Sequence, residues 1–339
     1  MDILKMIIKR LAYFVLLMFG VATIVFVLTR LVPGDPVAAN LSQRNLNNPE
    51  IVAAFEAKWG LDKPVIEQYG IYLQELLHLD LGTSIRTGNA VVAELQRCYP
   101  ATLELAIFAI AVAAILGILF GVISALKRNS FIDQLVRGIS VIGVSIPTFW
   151  FALLLLFFFY YKLGIAPGTG RISKGFTAPQ TVTGMYVLDS LLEGDFAKAW
   201  DCLKHLFLPG LCLASFSMGL ITRTTRSNML DVMSTDYIRT AKAKGLSSGK
   251  LVWHHAIGNA LIPVLTVIGL GLGNLLGGTV LVEQIFTWPG VGQFAYQSVT
   301  AMDSPGIIGC AMLIAANYTI INIVVDILYG IIDPKVRSN

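Results

Sequence analysis

Long uncharged apolar runs recur along this chain, and the segments between them hold almost all of its charged side chains. A membrane-crossing helix needs about 20 consecutive apolar residues, because the hydrocarbon layer is about 30 Å thick. Six runs meet this requirement, the fourth only weakly because Pro209 and several small residues dilute it. They lie at 11–29, 105–126, 139–161, 206–222, within 256–282, and at 304–325. The pattern predicts an all-α polytopic membrane protein with six transmembrane helices.

The composition agrees with a membrane protein. Of the 339 residues 55% are hydrophobic and 14% are charged, with a mean hydropathy of +0.70. A soluble domain has about 25% charged residues, so disordered, collagen-like and nucleic-acid-binding classes are excluded. Four cysteines are too few for a disulfide-built scaffold. Cys98 and Cys202 both fall in predicted outer segments, where a disulfide between them stays an open alternative.

Lys and Arg are concentrated in every second connecting segment. Cytoplasmic loops retain these residues, so we assign this set of segments, and with them both termini, to the cytoplasm. The set contains Lys5, Lys9, Arg10, Lys127, Arg128, Arg137, Arg223, Arg226, Arg239, Lys242, Lys244, Lys250, Lys335 and Arg337. The first apolar run is longer than the core of a signal peptide and lacks a cleavage site, so we expect it to remain as an anchor.

These spans predict the organisation of the chain. Tyr69, Tyr72, Leu73, Leu76 and Leu77 have the spacing of an amphipathic helix, within an outer segment that we expect to form a small cap on the bundle rather than an independent ligand-binding unit. The predicted parts are an N-terminal helix at 1–31, a periplasmic helical subdomain at 32–100, spans two and three at 101–162, an irregular periplasmic loop at 163–204, spans four to six at 205–333 with a cytoplasmic loop at 223–255, and a cytoplasmic tail at 334–339.

The cytoplasmic loop has the pattern of a short capped helix from Asp236 to Gly245. Ser234 or Thr235 can supply the N-cap oxygen, Asp236 lies in the positive first turn, and Gly245 is placed to end the helix in a left-handed conformation. A second short helix is expected from Lys250 to His255.

Two interpretations of this helix compete. A helix lying in the lipid headgroups would explain its basic residues. It would not explain Tyr237, Ile238 and Leu246 beside the small Ala241 and Ala243, which suit a groove on a protein better. We therefore favour protein docking.

Sites for chemistry are not indicated, and we predict no catalytic residue and no metal site. A phosphate-binding loop needs Gly, four residues, Gly and Lys followed by Ser or Thr. The segment 245–250 is one residue short and is followed by Leu251. The adjacent His254 and His255 would diverge by about 100° on a helix, so they form no metal pair. His205 is isolated and is expected to be solvated or to cap a helix.

Several short stretches along the chain are distinctive when they are taken together and in order. They are Leu31 to Pro36, Gly60 to Pro64, Asp80 to Ser84, Ala101 to Leu105, Ser145 to Trp150, Asp236 to Gly245, Asn259 to Pro263, and Glu283 to Gly292. In this order they resemble the B-type permease subunit of the dipeptide/oligopeptide (peptide/nickel) ABC importer family, and the similarity covers nearly the whole chain. The resemblance implies the type I ABC importer permease fold in a bacterial cytoplasmic (inner) membrane. It implies as partners a second permease subunit, one or two ATP-binding subunits that hold ATP and Mg²⁺, a periplasmic or lipid-anchored substrate-binding protein, and membrane lipid. It implies no nucleic acid and no cofactor bound by this chain.

The resemblance also assigns the cytoplasmic helix as the segment that couples to the ATPase. In the family this segment carries Glu-Ala-Ala and then Gly; here Arg239-Thr240-Ala241 stands in that place and Gly245 keeps the spacing. We therefore expect this segment to dock on the ATPase, but not through the individual salt bridges that the family uses. The expected coupling residues are Asp236, Tyr237, Arg239, Thr240, Ala241, Lys242, Lys244 and Gly245.

Dipeptides or short oligopeptides are the cargo that the resemblance favours, with nickel chelates, glutathione and haem as alternatives within the family. A stand-alone secondary transporter or channel is the competing class. It predicts inverted internal repeats, and the sequence contains no convincing repeat.

Gly269, Gly273 and Gly277 repeat every four residues on the fifth span, which permits close helix approach. The sequence does not separate a seam against a second permease near the pathway from packing within this chain.

Acidic residues near spans are functional candidates by default. Glu104, Glu283 and Asp326 qualify, but each lies near a predicted span end. A structural role at a helix end, with water or a partner satisfying the carboxylate, is an equally good interpretation.

Overall fold

The computed structural model describes residues 3–31, 35–41, 43–78 and 80–332, and it confirms the all-α class. The described helices are α1 (Ile3–Leu31), α2 (Pro36–Asn40), α3 (Gln43–Leu46), α4 (Pro49–Trp59), α5 (Val65–Leu77), α6 (Val91–Leu126), α7 (Phe131–Ser145), α8 (Thr148–Leu155), α9 (Tyr186–Leu192), α10 (Phe196–Met233), α11 (Asp236–Ala243), α12 (Ser248–Lys250), α13 (Ile257–Ala260), α14 (Ile262–Gly278), α15 (Val280–Ile285), α16 (Val291–Thr300) and α17 (Ser304–Ile332). Wider π-helical turns at Leu156–Lys162 and Leu251–Ala256 continue α8 and precede α13. The predicted tail at 334–339 lies outside the described residues.

Three of these helices, α6, α10 and α17, are long and apolar enough to cross a membrane. The weak fourth run is therefore part of a long helix despite Pro209 within it. The helix α1 contributes a shorter apolar stretch, Ala12–Leu28. The multi-pass architecture is confirmed, while the count of six spans and the cytoplasmic placement of both termini stay predictions.

The predicted third span is wrong as a continuous helix, whereas α14 forms a continuous helix within the predicted fifth span. The helix α7 meets the pair formed by α8 and its π-helical extension at a bend of 107°. Ile146 at the bend is extended (φ −73°, ψ 127°), because the ring of Pro147 disfavours a helical conformation in the preceding residue. A second bend of 53° separates Leu251–Ala260 from Ile262–Gly277, next to Pro263.

Three predicted boundaries fall inside continuous helices, those after residues 100, 204 and 222. The helix α6 begins at Val91 and passes through the boundary predicted after residue 100. The helix α10 begins at Phe196, within the loop predicted as irregular, and it ends at Met233, inside the predicted loop 223–255. Hydropathy marks only the apolar part of a helix, so polar turns at each end are missed.

The outer subdomain packs on the bundle as a cap through α5. Phe26 of α1 stacks on Tyr72 with ring centroids 5.5 Å apart, and it also contacts Tyr69. The hydroxyls of Tyr69 and Thr23 are 2.8 Å apart, and the Tyr72 hydroxyl donates to the sulfur of Met312 in α17. Tyr69, Tyr72 and Leu76 of the predicted amphipathic face pack here, whereas Leu77, which the sequence places on the same face, is 84% exposed.

The outer loop between α8 and α10 is ordered by buried polar side chains. Burial would raise the pKa of Asp189, but hydrogen bonds from Thr183 and from the backbone of Gly184 and Val182 outweigh it and hold that pKa below its usual value. The prediction of a solvated His205 is wrong, because its side chain is buried with Nε2 3.1 Å from the Ser173 hydroxyl.

A disulfide between Cys98 and Cys202 is absent. All four cysteines are free and buried. Cys98 packs in an apolar cluster with Cys310, whereas the Cys202 sulfur lies 4.0 Å from the Ser190 hydroxyl.

The core lies between α6 and α10. Leu105, Ala109, Ala113 and Ile221 are fully buried there. A Cβ atom placed on Gly121 would lie 2.5 Å from the Cβ of Thr225, so the two backbones approach more closely than larger side chains would allow.

Candidate functional site

The helix α11 begins and ends close to the predicted positions. Thr235 occupies the N-cap position, but its hydroxyl donates to the Val232 carbonyl, and the Ser234 hydroxyl donates to the Asp231 carbonyl. The predicted N-cap hydrogen bond is therefore wrong. Gly245 has φ +79°, the left-handed conformation that the sequence predicts at the end of this helix.

One side chain attaches α11 to the body of the protein. Ile238 is 3% exposed and packs in an apolar cluster with Met229 of α10, Leu251, Val252 and Ala256. This contact corrects part of the sequence interpretation, because Ile238 is used inside the chain and is not free to enter a partner's groove.

The opposite face of α11 is open. Seven of the eight expected coupling residues are exposed, and Ala241 is half-buried. The side chains of Asp236 and Arg239 are 94% and 73% exposed and form a salt bridge of 3.1 Å, which solvent screening makes weak. Lys242 and Lys244 add two unpaired positive charges among the described contacts. The open face is net positive and can receive an acidic surface.

A second attachment joins α11 to the chain that enters α14. Asn259 of α13 donates from Nδ2 to the Tyr237 hydroxyl at 3.0 Å and to the His255 carbonyl at 3.2 Å. The helix α11 thus contacts α10 on one side and the approach to α14 on the other. The sequence does not indicate either of these hydrogen bonds of Asn259.

An open cavity of about 500 Å³ lies between α8, α10, α14 and α15. Its polar side chains are Thr148, Ser217, Thr224 and Asn274, on an otherwise apolar lining. Phe216 of this lining is 45% exposed. A mostly apolar cavity with a few polar groups is the usual form of a ligand passage or pocket. Sequence periodicity could not find it, because the few polar residues in the apolar parts of these helices do not define a regular polar face.

The glycine repeat packs within this chain. A Cβ atom on Gly269 would collide with Val325 of α17, and one on Gly273 would lie 3.1 Å from the ring of Tyr318. A Cβ atom on Gly277 would lie 3.1 Å from the side chain of Ile314, which is also in α17. Of the two interpretations that the sequence left open, these contacts favour packing inside this subunit.

The candidate acids are engaged in internal contacts. Glu104 forms a buried salt bridge of 2.6 Å with Arg171 and accepts from the backbone N–H of Val187 at 2.8 Å. This pair joins α6 to the outer loop. It gives Glu104 a structural role.

Glu283 is fully buried rather than solvated at a helix end. It accepts hydrogen bonds from the hydroxyls of Thr102 and Thr279 and from the backbone N–H of Gln293. The helix α17 includes Asp326, whose side chain lies outside the described residues. The hydrogen bonds of Glu283 join α6, α15 and α16.

Comparison with known proteins covers almost the whole chain. Residues 117–338 match the family described as binding-protein-dependent transport system inner membrane component, and residues 3–106 match its N-terminal membrane component. The dipeptide transport system permease protein DppB of Alkalihalophilus pseudofirmus is 41% identical over 97% of this chain and 98% of its own length. The probable D,D-dipeptide transport system permease protein DdpB of Escherichia coli is 44% identical over 95% of this chain and 94% of its own length. The di/tripeptide transport system permease protein DppB of Pseudomonas aeruginosa is 41% identical over 98% and 99%.

Proposed function

This chain belongs to the family of binding-protein-dependent transport system inner membrane components, and from that premise we propose that it is the permease subunit of an ATP-driven importer of dipeptides or short oligopeptides. As a multi-pass transport subunit it forms part of a passage, and ATP hydrolysis is the task of partner subunits. The cargo is inferred from the names of three relatives that carry dipeptides, D,D-dipeptides, or di- and tripeptides.

One observation carries the coupling role. The exposed helix α11 follows α10 after only two residues, and α10 also lines the open cavity through Ser217 and Thr224. From Ser217 to Met233 a helix extends about 24 Å, at about 1.5 Å a residue. A force applied to α11 therefore reaches the cavity through one continuous helix.

Docking of the ATP-binding subunits is assigned to the open face of α11. Arg239, Lys242 and Lys244 would meet acidic residues on that partner, and Gly245 lets the chain turn away at the end of the helix. The family's Glu-Ala-Ala is absent here, so the charge complementarity is expected to run from a basic permease to an acidic ATPase surface. ATP and Mg²⁺ would be held by the partner.

A second permease subunit is expected to close the cavity. The cavity is open, and the exposed Phe216, Leu270 and Leu281 on its lining would be covered by a similar face of a second subunit. Peptide would then pass between Ser217, Asn274 and their counterparts. ATP-driven movement of α11 would open this passage to one side or the other. A substrate-binding protein would deliver peptide from the outer side of a bacterial inner membrane.

Purification in mild detergent from the native membrane tests this assignment. We expect the tagged chain to bring with it a second permease and one or two ATP-binding subunits, identified by mass spectrometry. Recovery of this chain alone, under conditions that keep a known transporter complex intact, would contradict it.

The cargo is tested by competition. Uptake of a labelled dipeptide should be reduced by unlabelled di- and tripeptides and left unchanged by nickel chelates, glutathione or haem. Competition by one of those three and not by peptides would reassign the cargo and leave the importer architecture in place.

A further inference from the structure

An ion pair between a buried carboxylate and a half-buried guanidinium joins α7 to α10, near the end of α10 that leads into α11. The guanidinium of Arg226 donates from Nε and Nη2 to the two carboxylate oxygens of Asp133, both at 2.8 Å. Asp133 is fully buried, and it also accepts from the Ser124 hydroxyl of α6 and from the backbone N–H of Asn129. A two-point contact of this kind fixes orientation as well as distance.

The same two helices are in close contact again further along. A Cβ atom on Gly219 would lie 2.6 Å from the Ser140 carbonyl oxygen, and one on Gly143 would lie 2.9 Å from the Ser215 carbonyl oxygen. Between Arg226 and Ser215 the helix α10 extends about 17 Å, at about 1.5 Å a residue. Fixed by the ion pair at one end and by these contacts at the other, α7 follows α10 when α10 moves, since packed interiors shift as units.

The far end of α7 is the 107° bend at Pro147, and Thr148 immediately beyond it lines the open cavity. The chain of contacts therefore runs from α11 through α10 to the ion pair, along α7 to the bend, and into the cavity lining. This route is separate from the face of α10 that lines the cavity directly.

We propose that Asp133 and Arg226 are positioning residues for transport, which transmit the movement of α11 to the bend at Pro147. The inference rests on the proposed function. It explains why a charge pair, which adds little stability over apolar side chains of the same size, occupies this position: the bidentate contact fixes the alignment of two helices that must move together.

The test uses the purified complex in proteoliposomes and measures peptide transported per ATP hydrolysed. The paired change Asp133→Asn with Arg226→Gln removes both charges and leaves neither unpaired. We expect this ratio to fall at least tenfold, while subunit stoichiometry and basal ATP hydrolysis stay at the native level. Arg226→Lys keeps the charge but not the two-point contact, and should give an intermediate ratio.

Arg137 supplies a matched control. Its guanidinium lies 3.6 Å from the same carboxylate, but its side chain is 54% exposed. Arg137→Gln should leave the ratio within about twofold of native, since an exposed pair contributes little. A native ratio in the paired neutral variant would overturn the inference. A native complex that transports no peptide would instead refute the proposed function.

If the neutral variant fails to assemble, a distance measurement with the ion pair intact tests whether α7 and α10 move together. Spin labels on Gly138→Cys, where a Cβ meets nothing within 4 Å, and on the exposed Arg223→Cys report the distance between α7 and α10. The four native cysteines are buried and should not be labelled. We expect the same distance with and without ATP. A distance that changes on ATP binding would overturn the inference, because the two helices would then move separately.

Discussion

Replacing Ile238 with alanine should release α11 from the body of the protein. Ile238 is 3% exposed and is the buried residue of α11, so its side chain supplies most of the apolar contact that holds the helix against Met229, Leu251 and Ala256. The expected consequence is weaker docking of the ATP-binding subunits, because the binding surface would no longer be held in one position.

The size of the effect follows from the burial. The change removes three carbon atoms, each worth about 0.8 kcal/mol when fully buried, so the helix loses about 2.4 kcal/mol of attachment. At 1.4 kcal/mol for each factor of ten, this corresponds to about 50-fold more opening of α11. The cavity left behind would add to this value, because neighbouring side chains relax only in part.

Amide hydrogen exchange on the purified complex measures this opening. Exchange in residues 236–246 should rise about 50-fold, with little change in α6 and α10. Thr240→Ala is the matched control, since Thr240 lies on the exposed face of the same helix and should leave exchange within about twofold. An unchanged exchange rate in the Ile238→Ala variant would refute the view that this side chain holds α11 in place.

Three further changes test the rest of the account. Gly245→Leu forces a side chain into a left-handed conformation at a cost of about 1–2 kcal/mol and should lower uptake. Gly249→Leu is the control and should leave uptake unchanged, because Gly249 has no positive φ and a side chain there would meet open space. Equal uptake in the two variants would contradict a role for the end of α11. Gly269→Leu should lower the melting temperature of the complex through overpacking of about 1–3 kcal/mol, and Val325→Ala in the same chain should restore part of the loss unless the glycine row contacts another subunit. Glu104→Gln leaves a buried arginine without its ion-pair partner and should cost about 3–5 kcal/mol, seen as a lower melting temperature; an unchanged value would show that the pair does not hold the outer loop.

Local features of the sequence were enough to place α11. The acidic residue in the first turn and the glycine after the last turn affect only their own helix, so nearby residues are enough to predict where α11 begins and ends. The structure has Gly245 in the predicted left-handed conformation. The hydrophobic spacing of α5 was informative for the same reason. Its tyrosines pack on Phe26.

The bend in 139–161 was missed although Pro147 is a local signal for it, because apolarity alone made the run resemble one straight span. Features that depend on tertiary contacts could not be predicted. The sequence placed Glu283 at a helix end without naming what satisfies its carboxylate, because a hydrogen bond from Thr102, about 180 residues earlier in the sequence, cannot be seen in a local pattern. The ion pair of Asp133 with Arg226 could not be predicted for the same reason, because the two residues lie on different helices that are distant in the sequence.

Peptide accumulation in proteoliposomes tests the central claim most directly. The vesicles would contain this chain with its co-purified subunits, and uptake of a labelled dipeptide would be followed with or without ATP and the substrate-binding protein. We expect accumulation against a gradient only when both ATP and the substrate-binding protein are present. Accumulation by this chain alone, driven by a proton or sodium gradient, would contradict it and favour a stand-alone secondary transporter.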